Sequence, residues 1–100
     1  MVLSYKTRFG KFYNSKIEDF IKSKEFKKLN GKVDLIFTSP PFPLNRKKKY
    51  GNYQGKEYIE WLSDVCSSLS ELLSPTGSLV IEVGNSWDEG VPLMSTLSLE

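Results

Sequence analysis

Thr38-Ser39-Pro40-Pro41-Phe42 is the stretch of this chain whose residue types could perform chemistry. It sets a hydroxyl and a backbone carbonyl beside a flat aromatic ring, on a backbone that two prolines stiffen. Such parts suit methyl transfer to an amine attached to an aromatic ring. The amine lone pair is delocalised into the ring, so acceptors for its N–H groups favour the tetrahedral, nucleophilic nitrogen. Ser39 Oγ and the Pro40 carbonyl could be those acceptors, and Phe42 could stack on the ring. The plainer alternative for the same string is a rigid loop with a packed Phe, because prolines punctuate many loops.

The elements that must position this segment are readable from periodicity. Val33-Asp34-Leu35-Ile36-Phe37-Thr38 is a short, mostly apolar run with β-branched and aromatic content, the pattern of a strand buried on both faces of a parallel sheet. Ser39-Pro40-Pro41 stops it, since consecutive prolines cannot donate ladder hydrogen bonds. From Glu57 to Leu73, Tyr58, Leu62, Val65, Cys66, Leu69, Leu72 and Leu73 recur at helical offsets, with Glu57, Glu60, Asp64 and Glu71 on another face. Ser74-Pro75-Thr76-Gly77 reads as a helix stop and turn, and Ser78–Val83 as a second buried strand. Strand, helix, strand at this spacing is a right-handed parallel crossover, the unit of an open α/β sheet.

Ligands of such sheets bind beyond the carboxyl ends of the strands. Two connections point there: Ser39–Gly55, long for an α/β unit, and Gly84-Asn85-Ser86-Trp87. Upstream, Ile17, Phe20 and Ile21 mark a lysine-rich helix over about Ser15–Leu29. Phe26 falls off its apolar face and suggests a break, and Asn30-Gly31 ends it. Asp34 is expected to pair locally, Tyr58 and Trp61 to pack on the helix, and Cys66 to lie in the core.

Charge is divided unevenly. Residues 1–56 hold all 14 basic and 4 acidic groups, a balance of +10, whereas 57–100 hold 8 acidic groups and no basic ones, a balance of −8. A polyanion would be drawn to the first half alone. Lys22, Lys24, Lys27 and Lys28 read as solvated helix residues, while Arg46-Lys47-Lys48-Lys49, in a loop behind the prolines, is as well suited to phosphate contact. One cysteine and no histidine leave no disulfide within the chain and argue against a metal cluster or serine-histidine chemistry. No apolar run is long enough to span a bilayer, and a cytoplasmic protein is expected.

Val33 through Phe42 resembles the catalytic motif, commonly called motif IV, of the amino-group DNA methyltransferases, in which Asp, Asn or Ser precedes Pro-Pro and an aromatic. The Ser-Pro-Pro form is similar to the cytosine-N4 branch, and Asp-Pro-Pro-Tyr is more typical of adenine-N6 enzymes. Arg46–Asn52, Glu57–Trp61, Leu73–Ser78 and Gly90-Val91-Pro92 continue the likeness, in the order of restriction-modification enzymes whose catalytic motif precedes the cofactor motif.

The resemblance implies a Rossmann-like α/β methyltransferase fold, present in part. It implies S-adenosylmethionine as cofactor and double-stranded DNA as partner, with the target base flipped out of the stack. Target-base roles carry over to Ser39, Pro40, Pro41 and Phe42. Asn14, in Tyr13-Asn14-Ser15, stands where relatives have a Gly-Asp pair near the cofactor. No Phe-x-Gly-x-Gly or Asp-Pro-Phe-x-Gly cofactor loop and no recognition region occur in residues 1–100. The expectation is therefore the catalytic-motif half of a methyltransferase domain, served by a complementary segment or subunit. An adenine-N6 enzyme and an inactive or non-catalytic DNA-binding subunit are the alternatives.

Overall fold

The computed structural model describes residues 1–40, 55–82, 86–88 and 91–93. The chain begins with two short strands, β1 (Val2–Lys6) and β2 (Lys11–Asn14), paired as an antiparallel hairpin. Two short helices follow, α1 (Ile17–Ile21) and α2 (Lys24–Leu29), and then β3 (Val33–Thr38), α3 (Gly55–Ser70) and β4 (Leu73–Ile81). A last antiparallel pair is formed by β5 (Ser86–Asp88) and β6 (Val91–Leu93). No helix among the described residues is long and apolar enough to cross a membrane.

The expected lysine-rich helix is two helices, and the break has a local cause. Ser23 adopts an extended conformation as the N-cap of α2, accepts a hydrogen bond from Phe26 N at 3.2 Å and donates one to Phe20 O at 2.6 Å. Capping at this point restarts the helix and rotates Phe26 inward. Phe26 meets Phe20 edge to face, with ring centroids 5.6 Å apart, and is buried. Gly31, at φ 72°, turns the chain out of α2 as Asn30-Gly31 suggested, and its N–H donates to Glu71 O at 3.0 Å.

Tyr58, Leu62, Val65, Leu69 and Leu72 follow one another at alternating steps of four and three, which places them on a single stripe. All five are buried. Val65, Leu69 and Leu72 join Phe26 in the core, with Ile17, Phe20, Ile21, Val33, Ile36 and Trp61 packed against them. Cys66, expected in the core, is half-buried.

β3 and β4 are parallel, as the crossover requires, with Leu35, Ile36, Phe37 and Thr38 opposite Ser78, Leu79, Val80 and Ile81. β4 starts at Leu73 rather than at Ser78, because Leu73 already pairs with Val33. Between these pairs, Ser74-Pro75-Thr76-Gly77 stands opposite Asp34 alone, a register irregularity within β4, so the residues read from the sequence as a turn belong to the strand. Ser74 Oγ donates to Asp34 Oδ1 at 2.8 Å, so Asp34 pairs across to β4, 40 positions away, and not locally as expected. A Cβ on Gly77 would lie 2.6 Å from Val33 O, which explains glycine at this point of close approach.

The expectation that β3 is buried on both faces is corrected. Ile36 faces the core, but Leu35 and Phe37 on the other face are 60% and 64% exposed, and Val80 beside Phe37 is exposed too. α3 covers one side of the sheet, and no described element covers the other.

Candidate active site

β3 runs toward the edge from which α3 returns, so Ser39 leaves the sheet where the helix begins. The last rung of the ladder is Glu82 N donating to Thr38 O at 2.9 Å. Ser39 is therefore one residue beyond a hydrogen-bonded strand end, with an exposed side chain, and Pro40 behind it is buried. An anchored proline fixes the direction in which the serine leaves the sheet. This edge is where open parallel sheets bind ligands.

α3 adds Tyr58 at the same end, within its first turn. Its ring is 1% exposed and tilts against Trp61 at 6.0 Å, the packing role expected of both. Burial, with a smaller contribution from Cys66, pushes the Tyr58 phenol above its ordinary pKa and keeps it a neutral donor. Its hydroxyl has no hydrogen-bond partner among the described residues. Trp61 Nε1 donates to Glu18 Oε1 at 2.8 Å, tying α1 to α3. That bond leads the influences that hold Glu18 below the usual carboxylate range. Burial raises the Cys66 thiol, so it is not poised as a thiolate nucleophile.

The other residues singled out from the sequence are distributed unevenly. Pro41, Phe42 and the run Arg46, Lys47, Lys48 and Lys49 lie outside the described residues, as do Gly84 and Asn85. Ser86 and Trp87, expected in a connecting loop, belong to β5. Asn14 ends β2, exposed and opposite Val2, and no hydrogen bond among the described residues joins it to Ser39.

Sequence reasoning passed over the β1–β2 hairpin. Its signal was one of composition: Lys6, Arg8, Lys11 and Lys16 are interspersed with Tyr5, Phe9, Phe12 and Tyr13, and no acidic residue occurs before Glu18.

A family model described as DNA methylase, for N6 and N4 enzymes, matches residues 33–95. The chain belongs to the N6/N4 DNA methylase family. The methylase match contains Ser39, Pro40, α3 and β4, and excludes Asn14 and the β1–β2 hairpin. Among relatives, the chain is 41% identical over 63 residues to the type II methyltransferase M.PvuII of Proteus hauseri, covering 63% of this chain and 19% of that protein. It is 36% identical over 52 residues to the type II methyltransferase M.BglII of Bacillus subtilis, covering 52% of this chain and 14% of that protein. The chain thus spans less than a fifth of the length of these methylases. No solved structure matches it.

The family implies S-adenosylmethionine as methyl donor. Described residues line one concavity along Tyr13, Phe20 and Leu29 and another along Glu18, Ile21 and Trp61, and Asn14 and Ser39 line neither of these.

Proposed function

We propose that this chain supplies the catalytic motif of a restriction-modification DNA methyltransferase acting on the N4 amino group of cytosine, with S-adenosylmethionine as donor. The observation that carries the reading is Ser39, exposed one residue past the closed end of β3 and backed by buried Pro40. There Ser39 Oγ and the Pro40 carbonyl accept the N–H groups of the target amine as its nitrogen becomes tetrahedral. In this reading Ser39 is an acceptor and not an attacking group; no histidine of these 100 residues stands by to activate it. Phe42 stacks on the flipped base and holds it against these acceptors. Arg46, Lys47, Lys48 and Lys49 contact phosphates nearby, giving nonspecific, salt-sensitive affinity.

Serine at the first position of the Ser-Pro-Pro-Phe motif favours cytosine N4 over adenine N6. The glycine-rich cofactor turn and the recognition region belong to a complementary segment, so the 100-residue chain alone is expected to bind S-adenosylmethionine weakly. The test is transfer of a radiolabelled methyl group to DNA by the chain combined with a segment carrying that turn, followed by nucleoside analysis. N4-methylcytosine is the expected product. N6-methyladenine would overturn the choice of base, and no methylated nucleoside would favour a non-catalytic DNA-binding role.

A further inference from the structure

The β1–β2 hairpin is built unlike the rest of the molecule. Its strands bury almost nothing: Val2, Leu3, Tyr5 and Phe12 are all exposed, and Phe9 at the tip is 87% exposed. Tyr13 alone of the two strands is half-buried, beside Phe20 and Leu29, and a two-stranded hairpin with so little burial is marginal in water, so folding does not explain the exposed side chains. The tip is nevertheless ordered by its own bonds. Thr7 N donates to Gly10 O at 2.8 Å, and Phe9 N donates to Thr7 Oγ1 at 3.2 Å.

Its charges add a second anomaly. Lys6 and Lys11 are direct partners across the ladder, and like charges in that position repel. Arg8 sits in the turn between them with its guanidinium 4.6 Å from the centre of the Phe9 ring. Three cations thus converge on one tip beside an open aromatic face, in a segment without an acidic residue before Glu18. An anion between Lys6 and Lys11 would convert their repulsion into attraction, and a flat group on Phe9 would bury its ring. Nucleic acid brings both in one molecule.

We infer that the tip of the β1–β2 hairpin is a DNA-contacting arm, separate from the Ser39 edge. Lys6, Arg8 and Lys11 engage backbone phosphates, and Phe9 stacks on an unstacked base. The inference rests on DNA as the substrate class but not on which base is methylated. A two-stranded ribbon also has dimensions that fit a DNA groove. Tyr5 and Phe12 stiffen the arm, with rings stacked 5.2 Å apart and 8° from parallel.

The test is fluorescence anisotropy of the full 100-residue chain with labelled single-stranded and duplex oligonucleotides across a salt series. Phe9 is 87% exposed, so Phe9→Ala should leave the circular dichroism spectrum unchanged and weaken single-strand binding by roughly 5- to 150-fold. Replacing Lys6, Arg8 and Lys11 by Gln should make the slope of log affinity against log salt shallower by about 2. The same replacement at Arg46–Lys49 serves as the comparison. Wild-type affinity and slope in both hairpin variants would overturn the inference, as would a wild-type chain that binds no DNA. A chain that self-associates through the tip, with self-association lost in Phe9→Ala and DNA binding unchanged, would reassign it as a protein interface. Methyl transfer is not read in these assays, so their failure is separate from failure of the Ser39 mechanism.

Discussion

β1–β2 and β3–α3–β4 both hold large apolar side chains and use them for opposite ends. In the second, the stripe from Tyr58 to Leu72 and the inner face of β3 are buried together, and that packing holds the strand end carrying Ser39. In the first, comparably large side chains, Tyr5, Phe9 and Phe12, remain in water. Apolar content therefore has two meanings in this chain. Where it repeats at helical spacing it makes a core, and in the hairpin and on the outer face of β3 it stays at the surface.

The comparison breaks most visibly in stability. Leu69→Ala removes a buried side chain from the core around Phe26 and should lower the unfolding free energy by about 2–5 kcal/mol in urea titration. Phe9→Ala should change it by no more than about 0.5 kcal/mol. Equal losses would show that the hairpin is packed after all. A second pair sharpens the contrast at glycine. Gly77→Ala forces a Cβ against Val33 O and should destabilise by about 1–3 kcal/mol, measured by thermal unfolding. Gly10→Ala, with nothing within 4 Å of the added carbon, should lie within about 0.5 kcal/mol of wild type.

These pairs also mark what could be read in the sequence. The α3 periodicity, the crossover and the position of Ser39 were legible because helical spacing and a Pro-Pro stop are local signals. The split between α1 and α2 was half legible: Phe26 showed that something breaks, but the Ser23 cap that breaks it shows up only as a hydrogen bond. The start of β4 was not legible, since Leu73 joins the strand by pairing with Val33, a residue 40 positions away in sequence. Burial on both faces of β3 was inferred from composition alone. Composition does not say which layer arrives, and Leu35 and Phe37 are exposed. The hairpin escaped because its aromatic and basic residues are mixed without a period of two, and Tyr13 alone of its strand residues is half-buried.

The smallest effect concerns the tie between α1 and α3. Glu18 is held below its ordinary pKa chiefly by the Trp61 hydrogen bond, so this bond favours the folded state above the unfolded carboxylate pKa. That contribution is lost as pH falls through the depressed folded value. Trp61→Phe should therefore destabilise the chain at neutral pH by no more than about 1 kcal/mol, because the bond is exposed, and by less in acid. Chemical unfolding at the two pH values checks this; a pH-independent difference would mean that ring packing alone is lost.

The central claim is that Ser39 accepts from the target amine at the end of β3. The most direct measurement is single-turnover methyl transfer by Ser39→Ala in the assembled methyltransferase, with DNA affinity measured alongside. The account predicts a rate lower by about 10²-fold or more with affinity little changed, and partial activity in Ser39→Asp, which restores an acceptor. A full-rate Ser39→Ala enzyme, or a covalent adduct on the wild-type serine, would contradict it.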